Sequence, residues 1–138
     1  MSEQQNLQFI KDAYAAFARK DIGTVLNSLT EDVEWICPGE GANPLGGVYH
    51  GREGVAHFFQ RLDETTELTH FEPREMVSQG DLVIALGRSK ARMKSTNRTV
   101  DVNWAMAFTF RDGKVAQYRE YTDTAALAAA HKGNAASA

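Results

Sequence analysis

Three groups able to move or share a proton, Tyr118, Glu120 and Asp123, lie within the segment Gln117-Tyr118-Arg119-Glu120-Tyr121-Thr122-Asp123. A glutamate facing apolar surroundings loses hydration, so its pKa climbs towards neutrality, the useful range for a general acid or base. A tyrosine beside it can donate a hydrogen bond to a substrate oxygen. Glu120 and Tyr118 are therefore the candidate catalytic pair. The competing reading is that Glu120 pairs with an arginine at a sheet edge and does no chemistry. Cys37, between Ile36 and Pro38, reads as a small buried side chain, because no adjacent base would make a thiolate. His50 and His57 are seven apart and lack a third ligand at a natural spacing, so no metal is expected. Phosphate-cradling loops, H-E-x-x-H, G-x-S-x-G and paired C-x-x-C are all absent, so no cofactor is expected either. Asn97-Arg98-Thr99 fits a glycosylation acceptor but lacks a secretory context.

Which way Glu120 leans depends on the strand that carries it. From Leu68 onward the apolar period is two, which predicts strands at Leu68–Gln79, Leu82–Ser95, Thr99–Arg111 and Lys114–Thr122. Gly80-Asp81, Thr96-Asn97 and Asp112-Gly113 read as the hairpin turns between them. A two-residue Asp112-Gly113 loop pairs Arg111 with Lys114 and puts Glu120 beside Ala105, on the polar face. A three-residue loop pairs Phe110 with Lys114, sets Glu120 opposite Trp104 and Tyr118 opposite Met106, and turns both inward. The second is favoured, because the first buries the Arg119 guanidinium without a partner.

The third of these strands alternates Val100, Val102, Trp104, Met106, Phe108 and Phe110 against Thr99, Asp101, Asn103, Ala105, Ala107, Thr109 and Arg111. A two-residue Thr96-Asn97 loop would set Arg92 opposite Asp101 and Ser89 opposite Trp104. Large groups then face Gly87, Ser89 and Ala91, which means either tight interdigitation or an apolar hollow. Arg88, Lys90, Arg92 and Lys94 share the other face. They read as a solvated or subunit-contacting row balanced by Asp101, or else as a site for an acidic partner.

The first third of the chain reads as helix. Leu7, Ile10, Tyr14 and Phe17 define one face, and Asp21 caps a second helix bearing Ile22, Val25, Leu26 and Leu29. Thr30-Glu31-Asp32 ends that helix, Val33 to Cys37 is a short strand, Gly39 to Gly47 is an irregular loop, and a third helix follows Gly51. An alanine-rich helix capped by Thr122 or Asp123 closes the chain. The 138 residues predict a single domain over 1–138, with an ordered core of about 7–127 and a frayed tail at 133–138. Helices followed by antiparallel strands make an α+β fold with helices on one face of the sheet.

A net charge of −3 and a pI of 5.8 argue against nucleic-acid binding. The longest apolar runs are too short to cross a membrane. One cysteine and the polar start Met1-Ser2-Glu3-Gln4-Gln5 predict a cytoplasmic protein.

Trp35-x-x-Pro38-Gly39, Gly47-x-Tyr49-x-Gly51, Val55-x-x-Phe58-Phe59, Arg111-Asp112-Gly113-Lys114 and Arg119-Glu120-Tyr121-x-Asp123, in this order, resemble the nuclear transport factor 2-like superfamily, in its polyketide-cyclase-like (SnoaL-like) branch. The resemblance covers about Leu7 to Leu127. It implies a cone, a strongly curved sheet wrapped round the helices and enclosing a deep apolar pocket, and commonly a homodimer. It also supports the three-residue turn. It does not name the activity, because the superfamily spans ketosteroid isomerases, epoxide hydrolases, cyclases, dehydratases and binding modules.

Carried over residue by residue, the isomerases' base falls on Cys37, their oxyanion tyrosine on Ala13 (with Tyr14 one step off) and their protonated acid on Met106, so that machinery is absent. One acid of the epoxide hydrolases matches Glu120; the other falls on Ser89, and their arginine falls on Gly87 or Arg88. The cyclases' acid/base residue matches Glu120, and their histidine matches Tyr118. Trp35, Cys37, Ser89, Trp104 and Met106 would then line the pocket around Glu120 and Tyr118. The expected ligand is an apolar carbonyl, enol or epoxide compound handled by acid/base chemistry; the alternative is a non-catalytic module that holds an apolar ligand or a partner chain.

Overall fold

A computed structural model describes residues 2–132. The expected tail at 133–138 lies outside the described residues. Helix α1 (Glu3–Ala18) starts in a capping box, in which the Ser2 hydroxyl accepts from the Gln5 backbone N–H and the Gln5 side chain accepts from the Ser2 N–H. Lys20, at φ 62°, turns the chain out of α1, and Asp21 caps α2 (Ile22–Asn27) by accepting from the Thr24 N–H.

Strand β1 runs Leu29–Cys37, four residues earlier than the periodicity predicts. Leu29 to Asp32 are strand rather than the end of α2. Leu29 pairs with Val115, from the far end of the chain, and a short local window cannot register such a partner. The Gly39–Gly47 segment is followed by a strand the periodicity did not reveal, β2 (Gly47–His50), which pairs antiparallel to β1. Helix α3 (Gly51–Thr65), strands β3 (Thr66–Gln79), β4 (Leu82–Met93), β5 (Thr99–Arg111) and β6 (Lys114–Thr122), and helix α4 (Thr124–Lys132) complete the order. Asp123 caps α4 through the Ala126 N–H.

The six strands form one curved, unclosed sheet in the order β2-β1-β6-β5-β4-β3. Every pairing is antiparallel except β1 with β6, which is parallel. Helices α1 to α3 cover the inner face, where Ile10, Val25, Val33, Val55, Phe58, Val83, Phe108 and Val115 form the core. A smaller cluster joins α4, through Ala126, Leu127 and Ala130, to Ala91, Met93 and Val100.

Two registers differ from expectation. The β4–β5 connection is longer than two residues: the Met93 N–H donates to the Arg98 carbonyl, and Asn97 is left-handed at φ 62°. Lys90 therefore faces Asp101, Ser89 faces Val102, and Gly87 faces Trp104. The slip is two residues, an even number, so every side chain keeps its face. The Asp112-Gly113 turn has two residues, both at positive φ, with Arg111 paired to Lys114, so the three-residue loop is wrong. A β-bulge then corrects the phase. Phe110 pairs with Val115 and Thr109 with Gln117, which leaves Ala116 without a partner. After the bulge Tyr118 opposes Phe108 and Glu120 opposes Met106, both on the inner face, while Arg119 points out to solvent.

The outer face carries a row across the sheet that is apolar except for Arg119 at its centre. Val77, Ile84, Ala107, Arg119, Ile36 and Val48 are successive cross-strand partners, with Val77 65% exposed and Val48 48% exposed. Two of the four cations in the row beside it are paired with acids. Arg88 grips Asp101 with two nitrogens, Arg92 reaches Glu67, and Lys94 Nζ donates to the Asp63 carbonyl. These exposed pairs add little stability, and among the described residues they leave Lys90 and Lys94 without a carboxylate partner.

A Cβ at Gly87 would lie 2.3 Å from Trp104 Cζ2 and 2.5 Å from the Glu72 carbonyl oxygen. Gly87→Ala must push the indole and a neighbouring strand aside, and overpacking of this kind costs about 1–3 kcal/mol. The expected outcome is a lower denaturation midpoint with an unchanged slope in urea titration.

Candidate functional site

The helices do not fill the inner face of the sheet. A cavity of about 170 Å³ remains, on the scale of the 150 Å³ engineered cavities that accept a benzene ring. All seven residues singled out from the sequence, Glu120, Tyr118, Trp35, Cys37, Ser89, Trp104 and Met106, line it. The hollow is apolar, lined by aromatic and aliphatic side chains together. Trp35 stacks on Tyr118 at 3.8 Å between ring centroids, and Trp104 stacks on Phe71 at 5.2 Å. Phe58 and Phe59 close on Trp35, and Phe108 closes on Tyr118.

Glu120 is the only acidic side chain in this lining. Among the described residues it has no ion pair, and burial alone pushes its pKa up to about 7. The sheet-edge arginine that would have made it inert is not there: Arg119, its neighbour in sequence, is turned out by the alternation of β6. The charge of Glu120 is felt by three hydroxyl or thiol groups across the cavity. Burial and that charge together raise the pKa of Tyr14, Cys37 and Tyr118. All three stay protonated at neutral pH. Tyr14 and Tyr118 are thus hydrogen-bond donors, and Cys37 is no thiolate nucleophile.

Tyr14 is the residue that sequence reasoning undervalued. It reads as one apolar position of the α1 face, yet its hydroxyl reaches the cavity and donates to Met106 Sδ at 3.1 Å. Its ring leans on Phe71, Trp104 and Phe108. The available signal was a hydroxyl on an otherwise apolar helical stripe. Ser89 Oγ accepts from Trp104 Nε1 at 2.7 Å, although the two are not register partners. Trp35 Nε1 is buried without a hydrogen-bond partner in the same wall. Thr122, Leu127 and His131 also line the cavity, so α4 forms part of its wall. Among the described residues no three His, Cys, Asp or Glu side chains converge as a metal site, and no helix is long and apolar enough to cross a membrane.

A family model for the SnoaL-like domain matches residues 10–118. An NTF2-like protein from Burkholderia xenovorans LB400 is 45% identical over 94% of this chain and 98% of its own, with a TM-score of 0.86. TerC, co-crystallized with polyporic acid, is 30% identical over 89% of this chain and 95% of its own, with a TM-score of 0.76. The uncharacterized protein Rv0034 of Mycobacterium tuberculosis is 29% identical over 91% of this chain and 95% of its own.

The raised pKa has a consequence for stability. Burial disfavours the ionised carboxylate, so the folded state binds a proton more tightly than the unfolded chain between the ordinary value of 4.5 and about 7. Stability therefore falls as pH rises through that window and is level above it; the full penalty is roughly 3 kcal/mol. Glu120→Gln is expected to remove this decline and to be more stable than the parent at pH 8. Denaturant titrations from pH 4.5 to 8 measure it, together with a carboxyl ¹³C titration of Glu120 with its midpoint near 7.

Proposed function

The chain belongs to the SnoaL-like family, and from that premise we propose that it is a cofactor-independent acid/base enzyme acting on an apolar carbonyl, enol or epoxide compound. The observation that carries this reading is one unpartnered carboxylate, Glu120, set in an apolar cavity and tuned to about pH 7. A group tuned to the working pH is present in both protonation states and can take a proton and return it. Glu120 moves the proton between two positions of the substrate. The hydroxyl of Tyr118 is the donor placed to hold a substrate oxygen as charge develops on it, and that of Tyr14 joins it when the oxygen displaces its weak acceptor, Met106 Sδ. Trp35, Cys37, Trp104 and Met106 exclude water and shape the ligand. One relative, TerC, was co-crystallized with polyporic acid, which is consistent with a small organic ligand here.

The second reading is a non-catalytic binding module. It is favoured by the absence, among the described residues, of a second carboxylate from the cavity wall, which leaves Glu120 without the partner acid of a two-carboxylate site. We place the protein in the cytoplasm, where its single buried thiol, Cys37, needs no oxidising compartment. We also propose that it is a homodimer, with a second copy covering the outer row of Val77, Ile84, Ile36 and Val48.

On a converted substrate, Glu120→Gln should lower kcat by about 10²–10⁴-fold, and the parent's kcat/KM should show an inflection near pH 7. Binding that survives the substitution, with no product from either protein, would leave the binding-module reading. Sedimentation should give a dimer that Ile84→Glu splits into monomers; a monomeric parent would remove the dimer.

A further inference from the structure

We propose that Ser89 is a second polar anchor of the cavity, holding an oxygen acceptor at the end of the ligand remote from Glu120, so that the pocket selects molecules oxygenated at both ends. This rests on the reading of the cavity as a small-molecule site and adds its substrate class: a flat, apolar skeleton carrying an oxygen at each end.

A serine hydroxyl has one proton to give and two lone pairs to receive. One lone pair is taken by Trp104 Nε1, at 2.7 Å. The indole cannot swing away. One face stacks on Phe71 at 15°, and its outer ring lies against Gly87, where even a methyl group would collide. Ser89 is thus fixed as the acceptor of that bond, and its own proton has no acceptor among the described residues. The residue lines the cavity, so the unspent donor is on the wall that a ligand would meet. A carbonyl, ether or hydroxyl oxygen satisfies it, whereas a hydrocarbon edge leaves it unpaired at a cost.

The register sets the spacing. Glu120 opposes Met106 and Ser89 opposes Val102, so the anchors are four residues apart along β5 and two strands apart across the sheet. At about 3.4 Å per residue and 4.8 Å per strand, the two Cα atoms are about 16 Å apart along the sheet surface. The side chains and the curvature of the sheet shorten the gap, and the two anchors stay on different strands of the same inner face.

The test uses two probes of equal shape, acetophenone and α-methylstyrene, the second lacking the oxygen. Affinities are measured by calorimetry on the full chain. The parent should prefer the ketone, and Ser89→Ala should weaken the ketone about three- to tenfold while leaving the hydrocarbon unchanged. Ser89→Thr, which keeps a hydroxyl, should retain the preference. Trp104→Phe should weaken the preference without abolishing it, because the hydroxyl is then free to turn. Equal affinities for the two probes in the parent, or equal losses for both in Ser89→Ala, would overturn the anchor while leaving the cavity as a binding site. Binding of neither probe to folded parent protein would overturn the small-molecule site and the anchor with it.

Discussion

Alternation along a strand offers only two positions, inside or outside, and a single residue of phase decides the character of the whole cavity. The tight Asp112-Gly113 turn starts β6 in the phase that would put Tyr118 and Glu120 in solvent and Arg119 in the core. Ala116, bulged out without a partner, advances the strand by one residue. Desolvation of Glu120, protonation of its tyrosine neighbours and the Trp35–Tyr118 stack all follow from that step. The driving force is lopsided. An unpaired guanidinium inside costs far more than a single carboxyl, which can simply take up a proton.

Fold and site were legible in the sequence to different depths. The bounds of β5 and β6 match expectation to the residue, because β5 alternates cleanly and the Asp112-Gly113 turn marks the boundary between the two. The inward lean of Glu120 was reached by a sound argument about Arg119 attached to the wrong device, a longer turn in place of a bulge. Nothing local distinguishes them, since Asp-Gly serves either turn and Val115-Ala116-Gln117 has no residue that demands a bulge. The strand at Leu29–Asp32 and the short β2 were missed for a related reason, as both are held by partners distant in sequence. All seven site residues border the cavity, because alternation places whole faces at once. Tyr14, read from the sequence as part of the apolar stripe of α1 and one step off the isomerases' oxyanion tyrosine, serves that stripe and the cavity together.

The distribution of charge divides the molecule into two regimes. On the outer sheet face, opposite charges neutralise one another in high dielectric, through Arg88 with Asp101 and Arg92 with Glu67. On the inner face a single carboxylate stands without a counterion, and its environment answers by shifting its protonation. The same residue type is thus commonplace outside and tuned within, and the separation is maintained by a sheet one residue thick.

The last strand is wedged between the first and the fifth, running parallel to a segment about eighty residues upstream. Until the ribosome has delivered Lys114 to Thr122, β1 and β5 have no common neighbour, and the nascent cone is split along its wall. Pairings of such separation form slowly and expose strand edges while they wait. Nascent chains stalled before β6 should therefore be the species that recruits chaperones, and the vessel and its acidic group come into being in the same late event.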